Sequence, residues 1–206
     1  READLVEEVG RVLGYDRIPE RLPVGATTQG GDTPMARLTD VLRDRLIGAG
    51  LQEVVSHSLM AASPFDSPHT PHERIAIRSA LSEELSGLRR SLIPGLLDVL
   101  DRNARRGNAP LAFFEVGRVF LARGDEAHEE VVALAGAVCG ALTPRSWHAA
   151  PKAVPTFYTV SGLVESVFGA VGCGAVLEPA ADPRLHPGRQ ARTRVDGEDV
   201  GILGEL

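Results

Sequence analysis

Apolar residues Leu5, Val6, Val9, Val12 and Leu13 recur with a 3.6-residue period near the start of the chain. That period predicts a helix with one face built to dock on a core. Asp4, Glu7 and Glu8 gather on the opposite side at i, i+3 and i+4, and Glu7 stands in the favourable order to pair with Arg11. A turn-rich stretch, RLPVGATTQGGDTP (21–34), follows. Thr33 and Pro34 then read as N-cap and first residue of a second helix that runs to about Ala49 and stops at Gly50. LQEVVSHSL (51–59) and RIAIRS (74–79) read as strands on either side of a proline-dense loop, SPFDSPHTPHE (63–73). Pro94 opens a helix that ends at Gly107. LAFFEVGRVFLA (111–122) predicts a strand pair, or one strand bent at Gly117, and VVALAGAVCGAL (131–142) predicts a buried strand. Tyr158 to Val171 has helical periodicity, and ARTRVDGEDVGILGEL (191–206) predicts a hairpin turning at Asp196-Gly197. Helices interspersed with hairpin-type strands make the fold class α+β, with a mostly antiparallel sheet.

Composition narrows the function. The chain has 206 residues, 43% of them hydrophobic, enough for a sizeable core. Its net charge of −6 excludes a global nucleic-acid footprint, so any RNA contact must be local. No apolar run approaches the roughly 18 residues of a membrane span. Cys139 and Cys173 lack CxxC spacing and read as reduced, small hydrophobic residues of a cytoplasmic protein. Arg1 at the start and the apolar GILGEL at the end read as cut ends of an internal piece of a larger polypeptide.

Few positions carry recognisable chemistry. His69 and His72 could pair on a metal, but Pro68 and Pro71 exclude the helix that would align them. His57 and His186 read as structural. GAVGCG (169–174) follows a helix and precedes a strand, the reverse of the order a dinucleotide loop needs. No GxSxG, Walker or HExxH motif is present. Arg89, Arg90, Arg105 and Arg106 flank the helix of residues 92–106, as a solvated or interface face or, alternatively, as anion or RNA-backbone contacts. HPGRQARTR (186–194) alternates so that Arg192 and Arg194 give a strand one basic face. On spacing alone the acids Asp4, Glu7 and Glu8 read as a solvated helix face that suits the helix dipole, with a hard divalent cation as the minority alternative.

Five stretches together carry a resemblance: EADLVEEVGRVLGYDRIPERLP, GLQEVVSHSL, LSEELSGLRRSLIPGLLDVLDRNARRG, FFEVGRVF and LHPGRQARTRVDGEDVGILGEL. In this order they resemble the β-subunit family of bacterial phenylalanyl-tRNA synthetases, a phenylalanine–tRNA ligase. Ser79-Ala80 departs from the family's usual Asn-Pro before LSEELS. The resemblance implies that residues 1–23 end an upstream domain, 24–32 link, and 33–206 form a truncated, catalytic-like module. That module would have a class II aminoacyl-tRNA synthetase-like antiparallel sheet flanked by helices. It also implies an α2β2 tetramer whose α subunit binds ATP and phenylalanine and charges tRNA(Phe), with most tRNA-handling modules outside this piece. The helix of residues 34–49 and the strand of residues 51–58 lie where class II folds build their dimer interface. Asp4, Glu7 and Glu8 would bind magnesium at a site shared with the α subunit. A further aspartate of that set lies before Arg1, so the isolated chain is expected to hold Glu7–Arg11 pairing in place of the ion.

Class II adenylation needs an arginine two positions before a motif-2 glutamate to hold the ATP α-phosphate. Here Glu115 is preceded by Phe113, which implies a silent, non-catalytic module; the competing reading is a free-standing adenylate-forming enzyme on the same fold.

Overall fold

The structure, a computed structural model, describes residues 1–22, 24–25, 30–63, 65, 73–124, 127–141, 147 and 154–206. It divides into two compact units, Arg1–Asp32 and Thr33–Leu206. In the first, α1 spans Glu2–Leu13 and a 3-10 turn spans Tyr15–Arg17. The amphipathic pattern forms the expected helix, but α1 buries none of its residues, and Leu5 is 70% exposed.

The second unit begins with α2, Pro34–Gly48. Thr33 caps it by accepting a hydrogen bond from the Ala36 amide at 3.2 Å, as the Thr-Pro pair predicts. The segment read as one strand over 51–59 is instead two short pieces, β1 (Gln52–Glu53) and β2 (Leu59–Met60). Between them the backbone leaves the sheet, because the Ser56 amide is committed to the Glu115 side chain. RIAIRS is likewise not a strand; only Ala76 bridges, to Gly87. The short β3 (Gly87–Leu88) pairs antiparallel with β2. Next come α3 (Ile93–Arg105), β4 (Leu111–Ala122) and β5 (His128–Cys139). β4 is one uninterrupted strand, in unbroken antiparallel register with β5 from Leu111↔Cys139 to Ala122↔His128. After α4 (Phe157–Ala170), β6 (Val176–Pro179), β7 (Gln190–Val195) and β8 (Glu198–Gly204) form an antiparallel sheet. Asp196 and Gly197 both have positive φ, 51° and 85°, as a two-residue hairpin turn requires.

The fold is therefore α+β with mixed pairing, since β1 runs parallel to β4 in the sheet β1-β4-β5. β4 is apolar on both faces because both are covered. Phe114, Ala112 and Val116 pack with Leu42 and Leu46 of α2 and Leu163 and Val167 of α4. Leu111 and Phe113 pack on the other face with Leu96, Val99 and Leu100 of α3. β5 is not the buried strand that its composition predicts: it is an edge, alternating half-buried with exposed positions, and Val132 and Leu134 remain exposed. An ion pair ties α2 to β1. Arg43 Nε lies 2.8 Å from Glu53 Oε2, and that hydrogen bond is the main cause that raises the arginine's pKa above its ordinary value.

Candidate functional site

The face of β4 that α3 covers carries one charged residue. Glu115 is 1% exposed, and water cannot solvate its carboxylate. An unpaired buried charge costs several kcal/mol, so partners must be found inside. Arg89, 5% exposed, supplies the cation, with Nη1 2.6 Å from Glu115 Oε1. Ser56 supplies the rest: its amide donates to Oε1 at 3.2 Å and its hydroxyl to Oε2 at 2.7 Å. The arginine makes two further bonds, Nε donating to the Arg118 carbonyl at 2.8 Å and Nη1 to the Ser56 carbonyl at 3.2 Å. Main-chain bonds fix the same segment, from the Arg89 amide to the Ser58 carbonyl and from the Phe120 amide to the Arg89 carbonyl, each 2.9 Å.

Two glycines make room for this knot. A Cβ on Gly117 would stand 2.5 Å from Arg89 Nη2, and one on Gly95 2.4 Å from Ser56 Oγ. Gly117 thus serves passage of the guanidinium rather than the strand bend its position predicts. The expectation that Arg89 is a solvated or interface cation is corrected as well. The overlooked signal is Glu115 itself: a carboxylate inside the apolar run LAFFEV needs a cation from elsewhere in the chain.

Phe113 lies on the same face and packs against Leu96 and Leu111. It is a core position under α3, where an arginine would need its own buried partner. Val119 and Leu121, also buried, complete a face that offers apolar surface and one satisfied ion pair. A groove of about 780 Å³ runs beside it, between residues 55–63 and α3, with Ser56 and Arg89 in its wall and Asp98, Arg102 and Arg106 along the helix.

Other sequence candidates separate in space. Glu7 does not pair with Arg11; Glu8 does, at 2.6 Å, one residue closer along the same helix face. Asp4 holds the terminal ammonium of Arg1 at 2.8 Å. Among the described residues no three His, Cys, Asp or Glu side chains converge as a metal group, so the three acids of α1 do not make a ligand set by themselves. His69 and His72 lie outside the described residues. His57 is exposed at the groove, and His186 Nδ1 accepts from the Gly188 amide at 3.1 Å. Cys139 and Cys173 are free thiols, and both are exposed. The basic face of β7 is neutralised by neighbouring strands: Arg192 pairs with Asp199 at 3.0 Å, and Arg194 with Asp199 at 2.9 Å and Glu178 at 3.5 Å. No helix is long and apolar enough to cross a membrane among the described residues.

The chain is similar to known proteins in sequence and in fold. A family model described as phenylalanyl tRNA synthetase beta chain CLM domain matches residues 18–206. The chain is 39% identical over 212 residues to the phenylalanine–tRNA ligase beta subunit of Moorella thermoacetica. It is 38% identical over 213 residues to that of Halalkalibacterium halodurans. Each alignment covers 100% of this chain and 26% of the relative, so the chain spans about a quarter of their length. Among solved structures, two of pyrrolysyl-tRNA synthetase from Desulfitobacterium hafniense superpose with TM-scores of 0.53 and 0.55. They cover 80% and 81% of this chain and 55% and 57% of those chains. At 18% and 16% identity the likeness is one of fold.

If the knot is a mutually dependent unit, Arg89→Met or Glu115→Leu alone should each destabilise the chain by about 3–5 kcal/mol in urea unfolding, by stranding the other charge. The double variant should recover most of that loss. Equal damage in the double and single variants would contradict the pairing.

Proposed function

Because the chain belongs to the phenylalanyl-tRNA synthetase β-chain family, we propose that it is a non-catalytic core module of a phenylalanine–tRNA ligase. The single observation that carries this reading is the covered face of β4, where Glu115 is consumed by Arg89 and the flanking positions are apolar. Adenylate formation needs a cation free to meet the ATP α-phosphate. This face has none among the described residues. ATP and phenylalanine then belong to a partner α subunit in an α2β2 tetramer in the cytoplasm, and tRNA(Phe) is held mainly by modules elsewhere. Residues 1–23 close an upstream domain, 24–32 link, and 33–206 are the class II-like core, an antiparallel sheet flanked by helices.

The partner surface in this reading is α2. Met35, Leu38 and Val41 are exposed on it at 52%, 38% and 43%, next to the buried Leu46. Apolar side chains left in water on one helix face suit a subunit interface. Val55, 87% exposed, is the apolar residue that the segment of residues 51–58 offers to the same partner. The acids of α1 take a supporting role. Asp4, Glu7 and Glu8 serve magnesium only where the α subunit and an upstream aspartate add donors, since the ion demands a near-octahedral oxygen set.

Three outcomes test the reading. The purified chain should give ATP–pyrophosphate exchange at background; robust phenylalanine-dependent exchange would mean that it is itself an adenylate-forming enzyme. Leu38→Asp with Val41→Glu, folding intact by circular dichroism, should weaken co-purification with the α subunit at least tenfold. Unchanged assembly would move the interface elsewhere. In the assembled complex, Asp4→Asn/Glu7→Gln/Glu8→Gln should abolish the rise in Tm that Mg²⁺ produces in the parent. A retained rise would leave these acids as a solvated helix face.

A further inference from the structure

Of the arginines that flank α3, two already have a carboxylate partner. Arg89 is buried on Glu115, and Arg105 pairs with Asp101 at 2.8 Å. Arg106 is different, as is Arg102 one turn before it. Both are exposed and line the groove beside α3, and neither has a carboxylate within ion-pair reach among the described residues. Arg102 spends only Nε, on the Asp98 carbonyl at 3.4 Å. This is unexpected in a chain with net charge −6, where acids outnumber bases. Position in the last turns of a helix favours cations, which meet the negative end of the helix dipole. That explains why arginines stand at this end, but not why two of them line one cavity with no ion-pair partner among the described residues. Residues four apart on a helix have Cβ atoms about 5–6 Å apart, so two guanidinium forks reach one short stretch of ligand. A guanidinium binds phosphate oxygens through two parallel N–H bonds. Asp98 and Glu84 line the rest of the groove and repel a polyanion there.

We infer that the C-terminal end of the α3 groove is a short RNA-backbone contact, with Arg102 and Arg106 each holding a phosphate. The proposal rests on the ligase reading, which puts a tRNA within the assembly. An acidic protein segment is the rival ligand. A subunit contact is depleted of charge at its centre, whereas two adjacent cations with no ion-pair partner suit a polyanion.

The test uses the full-length β chain assembled with its α subunit, and compares Arg102→Glu/Arg106→Glu, Arg102→Lys/Arg106→Lys and the control Arg105→Glu. The readouts are tRNA affinity at two salt concentrations, sizing, and tRNA-independent ATP–pyrophosphate exchange. For the glutamate pair, the slope of log affinity against log salt should fall in magnitude by about 1.4, at about 0.7 per single-strand phosphate. Exchange and sizing should not change, the lysine pair should keep most of the slope, and Arg105→Glu should behave as wild type. An unchanged slope and affinity for the glutamate pair would overturn the proposal. So would loss of assembly, which would make the groove a protein interface. A wild-type assembly without phenylalanine-dependent exchange counts against the ligase reading alone; the tRNA titration still decides this one.

Discussion

Arg89 and Glu115 are both out of water, and each is held by the other and by Ser56. Three segments distant in sequence must therefore meet within hydrogen-bond distance: the stretch after β1, the stretch after β3 and the middle of β4. The two glycines follow from the same demand, since side chains at Gly117 or Gly95 would occupy the space that the guanidinium and the serine hydroxyl need. The short β1 follows too. Once Ser56 turns its amide and hydroxyl to the carboxylate, the backbone cannot continue a ladder with β4. Buried pairs of this kind add little net stability but strongly disfavour arrangements in which one partner is stranded.

The same arrangement bears on function. A sheet face that binds nucleotide must leave charge and space for phosphates. Here α3 lies over that face and fills it with Leu96, Val99 and Leu100 against Leu111 and Phe113, while the one carboxylate that β4 carries there is already neutralised. The reading from Phe113 alone was incomplete, because that position is core and not part of an open site. What supports a silent module is the whole covered face. A fold likeness to tRNA synthetases and the chemistry of the site are separate matters.

Where local chemistry decides, the sequence was legible. Thr33-Pro34 placed the start of α2, Asp196-Gly197 placed the β7–β8 turn, and the run LAFFEVGRVFLA placed a strand, though not its coverage on both faces. What escaped depends on contacts between distant segments. Arg89 reads as a surface cation until Glu115 is brought to it. The apolar VVALAGAVC reads as a buried strand although it lies at a sheet edge. Glu8 rather than Glu7 takes Arg11 because residues three and four apart are almost equally near on a helix. The basic face of β7 could have been discounted earlier, for an Asp196-Gly197 turn sets Arg194 opposite Asp199.

The central claim is that the knot of Arg89, Glu115 and Ser56 is a part of the global fold rather than a local latch. Native-state amide hydrogen exchange tests it most directly, at the amides of Ser56, Arg89 and Phe120, which close the knot. The account predicts that all three exchange only through global unfolding, with the same free energy and denaturant dependence as the slowest β4–β5 amides. Exchange of these three through a local opening, with β4–β5 still protected, would contradict it.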